Sequence, residues 1–283
     1  LVIMLGVLYV VATPIGNLQD ITRRGITVLS SVQLIAAEDT RRTSVLLAEI
    51  GVAGVELVAL HEHNESRAVN RVVAALLAGA DVALVSDAGT PLVSDPGFEL
   101  VRRCWELDVS VLPIPGASAL SAALSVCPIP ASHFYFHGFV ASRDSQRRQQ
   151  LAELLRRKET VVFFEAPHRI ARCLQDVADL AGERRMMIGR EMTKLHESYL
   201  LGTAAELLQT LQVEDAARGE FVCVLEGDPQ VGFGGDVRET MTVLASELSP
   251  SVAARIGAQL LGVNRRELYR IATALKQAPV PEE

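Results

Sequence analysis

The sequence predicts two α/β domains followed by a small helical appendage, and three features predict it. At 283 residues the chain exceeds what one hydrophobic core usually organises. Short aliphatic runs alternate with longer amphipathic ones through the first half, the pattern of βαβ units around a mostly parallel sheet. After Pro128 and Pro130 the order changes to strands that neighbour one another, and a glycine-rich stretch, GDPQVGFGGD (227–236), precedes a last segment of helical pattern only. These breaks divide the chain into an N-terminal α/β domain (1–128), a second α/β domain with a mixed sheet (129–235) and a helical C-terminal appendage (236–283).

In the first domain the strand-like runs are VLYVVAT (7–13), VQLIAAE (32–38), VELVAL (55–60), DVALVS (81–86) and VSVLPI (109–114). Helical segments lie near 20–30, 43–50, 65–79, 97–107 and 117–126. The 65–79 segment is the clearest: Val69, Val72, Val73, Leu76 and Leu77 recur at three- and four-residue spacing, with Glu65, Arg67, Asn70 and Arg71 on the other face. In the second domain the strands are expected at 134–140, 160–166, 186–192, 198–203 and 221–227, with helices near 144–157, 168–181 and 204–212. The closeness of 186–192 to 198–203 predicts hairpin pairing. Residues 240–275 read as helices.

Composition narrows the class. The chain is 49% apolar but only 5% aromatic, which suits aliphatic α/β cores and not disorder. LVIMLGVLYVVA (1–12) has no basic flank, is shorter than a membrane span and runs into Thr-Pro, so it reads as a buried first strand rather than a targeting segment. No membrane partner is expected. Cys104, Cys127, Cys173 and Cys223 are scattered without a C-x-x-C pair, consistent with single thiols in a reducing cytoplasm. His61 and His63 form an H-x-H without a third ligand, so no metal is expected.

The net charge of −7 does not favour nucleic-acid binding by the whole surface, but two segments are locally basic. Residues 141–158 carry Arg143, Arg147, Arg148, Arg156, Arg157 and Lys158 against Asp144 and Glu153. Residues 251–277 carry Arg255, Arg265, Arg266, Arg270 and Lys276 against Glu267. Either segment could be a nucleic-acid contact or only a solvated helix face.

Three loops after strands are loaded for ligand binding, as expected at the carboxyl ends of a parallel sheet. TPIGNLQDIT (13–22) is neither a G-x-G-x-x-G fingerprint nor a phosphate loop with its Lys, which disfavours the usual NAD and ATP modes. SDAGTPLVSDPG (86–97) combines Gly89 and Gly97 with Pro91 and Pro96, a stiff loop of small residues through which backbone amides can approach a ligand. Asp87 is read as its site residue, and Asp95, followed by Pro96, as the N-cap of the next helix. PIPGASAL (113–120) keeps a helix N-terminus open through Gly116, Ala117, Ser118 and Ala119, although Ser118 could be only a cap.

With AAEDTRRT (36–43), FFEAPHRI (163–170) and GREMTKLHE (189–197), these loops form an ordered set. The set resembles the small-subunit ribosomal RNA branch of the tetrapyrrole-methylase-like (class III) methyltransferase family, over about residues 7–227. The resemblance implies S-adenosylmethionine in a cleft between the two α/β domains, and a homodimer. It also implies methylation of a cytidine 2′-hydroxyl in the decoding region of 16S rRNA, with the ribosomal RNA or the 30S subunit as partner. The tetrapyrrole-making relatives carry Gly-Pro-Gly-Asp and Gly-Asp-Pro type loops where this chain has Pro-Ile-Gly-Asn (14–17) and Ser-Asp-Ala-Gly-Thr-Pro (86–91). That departure favours the RNA branch. The rival readings are a tetrapyrrole methyltransferase and a non-catalytic nucleotide- or RNA-binding module.

Carried onto this chain, the cofactor contacts are expected at Thr13, Pro14, Asp87, Ala88, Gly89, Thr90, Gly116, Ser118, Ala119, Phe164 and Glu165. The substrate contacts are expected at Asp39, Arg41, Arg42, His168 and Arg169, with Glu38 beside them, and at Arg265 and Arg266. The methyl group is already activated by the sulfonium, so the protein must align the acceptor oxygen and assist loss of its proton. Lys194 is the candidate for stabilising the alkoxide, or for acting as base if desolvation lowers its pKa. Glu191 or Glu197 would orient it. If 189–197 is a strand, Arg190, Met192, Lys194 and His196 share one face, and cross-strand ion pairing is the alternative role. The segment SPSVAARIGAQLLGVNRRELYRIATAL (249–275) is similar to a small helix-turn-helix, broken at Gly262 and capped again by Asn264.

Overall fold

The computed structural model describes residues 5–61, 64–213, 218–228, 237–261 and 263–277. Expectations that fall on His63, on Gly262 and on 229–236 lie outside these. Strands β1 (Leu8–Val11), β2 (Leu34–Ala37), β3 (Glu56–Ala59), β4 (Val82–Val85) and β5 (Val111–Ile114) form one sheet in the order β3-β2-β4-β1-β5. All its pairings are parallel. Leu8–Val11 of the aliphatic run 1–12 is thus an inner strand, with Leu8 and Val11 fully buried, and residues 1–4 of that run lie outside the described residues.

The two-residue repeat of a strand sends alternate side chains to opposite faces. Leu34, Ala36, Val82 and Leu84 pack on one face beneath α3 (Glu65–Leu77) and α4 (Phe98–Glu106). Ile35, Ala37, Ala83 and Val85 pack on the other beneath α1 (Arg23–Ser31) and α2 (Thr40–Glu49). The expected stripe of α3 is the one that buries: Val69, Val72, Val73 and Leu76.

The second sheet runs β6-β7-β10-β8-β9, from β6 (Phe134–Phe139), β7 (Thr160–Glu165), β8 (Arg185–Arg190), β9 (Ser198–Thr203) and β10 (Phe221–Leu225). Only β6 and β7 pair in parallel among the described strands, so the sheet is mixed, and β8–β9 is the expected antiparallel pair. Helices α6 (Asp144–Leu154), α7 (Ile170–Ala181) and α8 (Ala204–Val213) cover one face. The other face receives α5 (Ala119–Val126): Ala123, with Ile15 and Met192, packs on Val162, Met187, Val222 and Val224. An apolar seam therefore joins the two sheets.

Helices α9 (Val237–Glu247), α10 (Pro250–Leu261) and α11 (Arg265–Gln277) share their own core of Met241, Ala253, Ala254, Leu261, Leu268 and Ala272. Asn264 opens α11, its side-chain oxygen accepting from Arg266 N at 2.9 Å. No helix among the described residues is long and apolar enough to cross a membrane.

The structure takes Arg147, Arg148 and Arg157 out of any free basic patch on the 141–158 segment, while Arg143, Arg156 and Lys158 stay exposed. Arg147 is only 2% exposed and pairs with Asp176 at 2.8 Å and Asp144 at 3.0 Å. Arg148 pairs with Asp176 and Asp179, and Arg157 lies over the Tyr135 ring. Apart from Asp144, these partners are distant in sequence, so local charge counting misses them.

Candidate active site

The strand order brings the loops that leave β1, β2, β4 and β5 to one end of the first sheet. Backbone bonds lace them together. Thr13 and Gly89 exchange hydrogen bonds, Thr13 N donating to Gly89 O at 2.8 Å and Gly89 N to Thr13 O at 3.0 Å. The Thr13 hydroxyl donates to Ser86 O at 3.1 Å, and the Thr90 hydroxyl to Ala117 O at 3.2 Å. The β4 loop keeps Leu92 and Ser94 at φ 71° beside Gly89 at 83° and Gly97 at 119°. Non-glycine residues in the left-handed region cost energy and concentrate at functional sites.

Between this loop cluster and the second sheet lies a cleft of about 410 Å³, within the usual range for a small-molecule site. Asp87, Ala88, Gly89, Thr90, Ser118, Ala119, Phe164 and Glu165 line it, all expected from the sequence as cofactor contacts. Thr13, Pro14 and Gly116 stand outside the lining. Thr13 is 2% exposed and clamps two loops, while Gly116 packs so tightly that a Cβ there would sit 3.0 Å from that of Ala12. Ile15, Val93, Ser94, Asp95, Phe139, Ala166, Pro167 and the β10 start Glu220–Val222 also line the cleft and were not read as site residues.

The cleft is acidic: Glu38, Asp87, Asp95 and Glu220 face it against Arg42. Asp87 has a structural task as well. Its Oδ1 accepts from Asp39 N at 3.0 Å and its Oδ2 pairs with Arg42 at 3.1 Å, while Asp87 N donates to Glu38 Oε2 at 3.2 Å. Asp95 is not the helix cap that the Asp-Pro pattern suggests. Gly97 occupies the N-cap position of α4, without a side-chain cap bond, and Asp95 turns into the cleft. Burial pushes its carboxyl up to about 6; the Ser86 hydroxyl opposes this, while the charges of Glu38 and Asp87 add to it. Glu165 is buried, its Oε1 accepting from Ala166 N at 2.8 Å and from Arg169 at 2.7 Å, whereas Oε2 has no hydrogen-bond partner.

Of the expected substrate residues of the two α/β domains, Arg42 and Glu38 line the cleft. Asp39 is the N-cap of α2; its bond to the exposed Arg41 holds its carboxyl well below the usual range. Arg169 is engaged with Glu165, and His168 is exposed just beyond Pro167. Arg265 and Arg266 are exposed on α11, in the C-terminal unit.

Residues 189–197 are not one strand. β8 ends at Arg190, and Glu191 (φ 49°) and Thr193 (φ 67°) turn the chain into a left-handed loop, so the alternating faces do not exist. Instead Lys194 folds back, its Nζ 2.9 Å from Glu191 Oε1 and 3.2 Å from Glu220 Oε2. Its stem lies over Gly16 of the first loop, where a Cβ would come within 2.3 Å of Lys194 Cγ. Burial disfavours the ammonium, but the two carboxylates outweigh it and hold the Lys194 pKa above the ordinary value. The two carboxylates thus oppose the desolvated-base alternative and favour the cationic role for Lys194. Glu197 accepts from the Tyr199 hydroxyl, so the carboxylates that hold Lys194 are Glu191 and Glu220. Among the described residues no group of His, Cys, Asp and Glu is arranged to hold a metal.

Residues 7–208 match the family of tetrapyrrole (corrin/porphyrin) methylases, and residues 232–276 match the RsmI C-terminal HTH domain. Ribosomal RNA small subunit methyltransferase I of Neisseria meningitidis serogroup A is 44% identical over 275 residues, covering 96% of this chain and 94% of that protein. The chain belongs to the ribosomal RNA small subunit methyltransferase I family, within the tetrapyrrole methylases. Further from it, the Escherichia coli O157:H7 member of this family is 40% identical, with 94% of each chain covered. Two solved structures share the fold of the tetrapyrrole methylases at lower identity. A cobalt precorrin-4 methyltransferase superposes with a TM-score of 0.59 at 16% identity, over 78% of this chain and 94% of that one. The uroporphyrin-III C-methyltransferase of Thermus thermophilus, complexed with S-adenosyl homocysteine, gives 0.54 at 17%, over 78% and 97%.

Proposed function

We propose that this chain is an S-adenosylmethionine-dependent methyltransferase acting on small-subunit ribosomal RNA, at the 2′-hydroxyl of a cytidine in the decoding region of the 16S molecule. The observation that carries the reading is identity of 40–44% to ribosomal RNA small subunit methyltransferase I proteins over more than nine-tenths of the chain. It works as a cytoplasmic homodimer in this reading, with the RNA or the 30S subunit as partner.

The residues fit the cofactor. The cleft has the size of a small-molecule site, and its acidic lining suits a ligand that carries cationic centres and ribose hydroxyl donors. The Glu165 carboxylate takes no part in this lining: it is wholly buried against Cys173 on the helix-covered side of the second sheet. When bound, S-adenosylmethionine supplies a methyl group made electrophilic by the sulfonium. The chain's own part is to exclude water, orient the acceptor oxygen, and stabilise the charge that develops on it. Lys194, kept cationic at the edge of the cleft by Glu191 and Glu220, is suited to the last task.

An acidic cleft does not attract phosphates, so the electrostatic grip on RNA belongs elsewhere. Arg255, Arg265, Arg266, Arg270 and Lys276 are all exposed in the C-terminal unit, and none forms an ion pair among the described residues. The same acidity disfavours a tetrapyrrole, whose ring of carboxylates would meet four more in the cleft. The test is labelled-methyl transfer to small ribosomal subunits that lack the modification, followed by mapping of the nucleotide. Label on the 2′-hydroxyl of a decoding-region cytidine is expected; no transfer, or label on another group, overturns the reading.

A further inference from the structure

Phe139 is 52% exposed at the rim of the cleft, an unfavourable place for so large an apolar side chain. The backbone is bent to put it there. β6 follows β7 in register as far as Phe136, then shifts, so that Gly138 pairs with Phe163 and Phe139 with Phe164. Such a bulge re-aims the residues that follow it. Gly138 has φ 79°, and a Cβ there would stand 2.9 Å from the Ser94 oxygen. Ser94, itself at φ 71°, belongs to the first domain. The two walls therefore touch at the foot of Phe139 through two unusual backbone conformations. The ring is also held in orientation: Phe139 lies 5.5 Å from Phe164 at 64°, and Phe164 lies 5.0 Å from Phe136 at 67°. An edge-to-face array of this kind fixes the ring while half of its surface stays open.

We propose that Phe139 is the stacking surface for the nucleobase of the acceptor nucleotide. The proposal rests on the RNA methyltransferase reading above and names the contact that would hold the acceptor base. Proteins that recognise single-stranded RNA splay bases out and stack them on aromatic rings. A nucleotide whose ribose hydroxyl enters the cleft carries its base to the rim, where Phe139 stands. A small ligand enclosed by the cleft buries most of its surface against the inner walls. Phe164 is there for it, leaving Phe139 to the second substrate.

The test compares Phe139→Ala, Phe139→Leu and Phe139→Tyr with the wild type on small ribosomal subunits lacking the modification, and measures S-adenosylmethionine binding by calorimetry. Stacking predicts that Ala and Leu raise KM for the subunits about tenfold. Tyr should retain the wild-type value, and cofactor affinity should stay within about twofold throughout. In a Trp105→Phe background, the tryptophan fluorescence of Phe139→Trp should be quenched when naked 16S rRNA is added. Wild-type KM in the Leu variant, loss of cofactor affinity in the Ala variant, or absence of quenching each overturns the proposal. A wild type that binds cofactor but transfers no methyl to the subunits overturns the functional reading itself, and is told apart because all four proteins then fail alike.

Discussion

The Lys194 ammonium lies 3.2 Å from Glu220 Oε2, joining the loop after β8 to the start of β10 at the edge of the cleft. The pair is completed by Glu191, whose Oε1 accepts from both Lys194 Nζ and Glu220 N at 2.9 Å. One acid is therefore consumed in holding the turn. The other, 71% exposed along its side chain, lines the cleft.

Replacement of Lys194 by Ala removes the cation but leaves the inner cleft walls in place. Turnover is expected to fall about a hundredfold, the usual loss for one electrostatic stabiliser, with calorimetric cofactor affinity near normal. Because its carboxylate partners raise the Lys194 pKa, its charge persists below and somewhat above 10.5. The pH profile of kcat should thus show no loss attributable to this group between pH 7 and 10.

Asp87→Ala is expected to weaken S-adenosylmethionine binding about tenfold, in line with loss of a charge-assisted contact. Equal affinity in variant and wild type would show the cleft assignment to be wrong. The bonds from Asp39 N and Arg42 to Asp87 go as well, so the melting temperature should be measured alongside.

Asp95 gives a pH prediction whose sign is the reverse of the usual carboxylate. Its pKa is raised to about 6 from 3.8, so the native state holds this proton more tightly than the unfolded chain. Its contribution to stability falls as pH rises through that window. Asp95→Asn should melt above the wild type at pH 7, and the difference should vanish near pH 4. Wild-type affinity for the cationic cofactor should rise from pH 5 to 7 more than affinity for neutral S-adenosylhomocysteine, and the Asn variant should lose that difference.

Asp176→Ala leaves the buried Arg147 guanidinium, which is 3% exposed along its side chain, with Asp144 as its one ion-pair partner among the described residues. A broken buried pair typically costs about 3–5 kcal/mol. Chemical denaturation should register most of it, with the salt dependence of RNA binding unchanged.

Reversal of Arg265, Arg266 and Arg270 to Glu should weaken RNA binding and lower the slope of log K against log salt by about one for each lost phosphate contact. Cofactor affinity should not move. An unchanged slope would remove the C-terminal unit from the RNA interface.

Much of the fold was legible because periodicity is a local property. The aliphatic strands, the α3 stripe and the neighbouring β8 and β9 all follow from residues within a dozen positions of one another. Much of the cofactor wall was legible for a related reason: Asp87–Thr90 and Ser118–Ala119 sit in loops rich in Gly, Pro and small residues after strands. What escaped depends on tertiary placement. Asp95 carries the same Asp-Pro pattern whether it caps a helix or faces a cleft. Glu220 and Val222 read as the plain edge of a core strand. Glu191 and Thr193 adopt left-handed angles without a glycine to announce the turn. The basic appearance of 141–158 is reduced by Asp176 and Asp179, which lie about thirty positions away and pair with Arg147 and Arg148.

Helix α5 comes from the first half of the sequence yet packs its Ala123 on the second sheet, with Ile15 and Met192 beside it. A hinge needs a wet or loosely packed joint, and here the joint is hydrocarbon. The gap between donor and acceptor walls is therefore a built dimension, fixed before either ligand arrives. Pulling the halves apart would expose that seam to water, so the two sheets should melt in one step, and catalytic selectivity is set by a rigid gauge and not by closure.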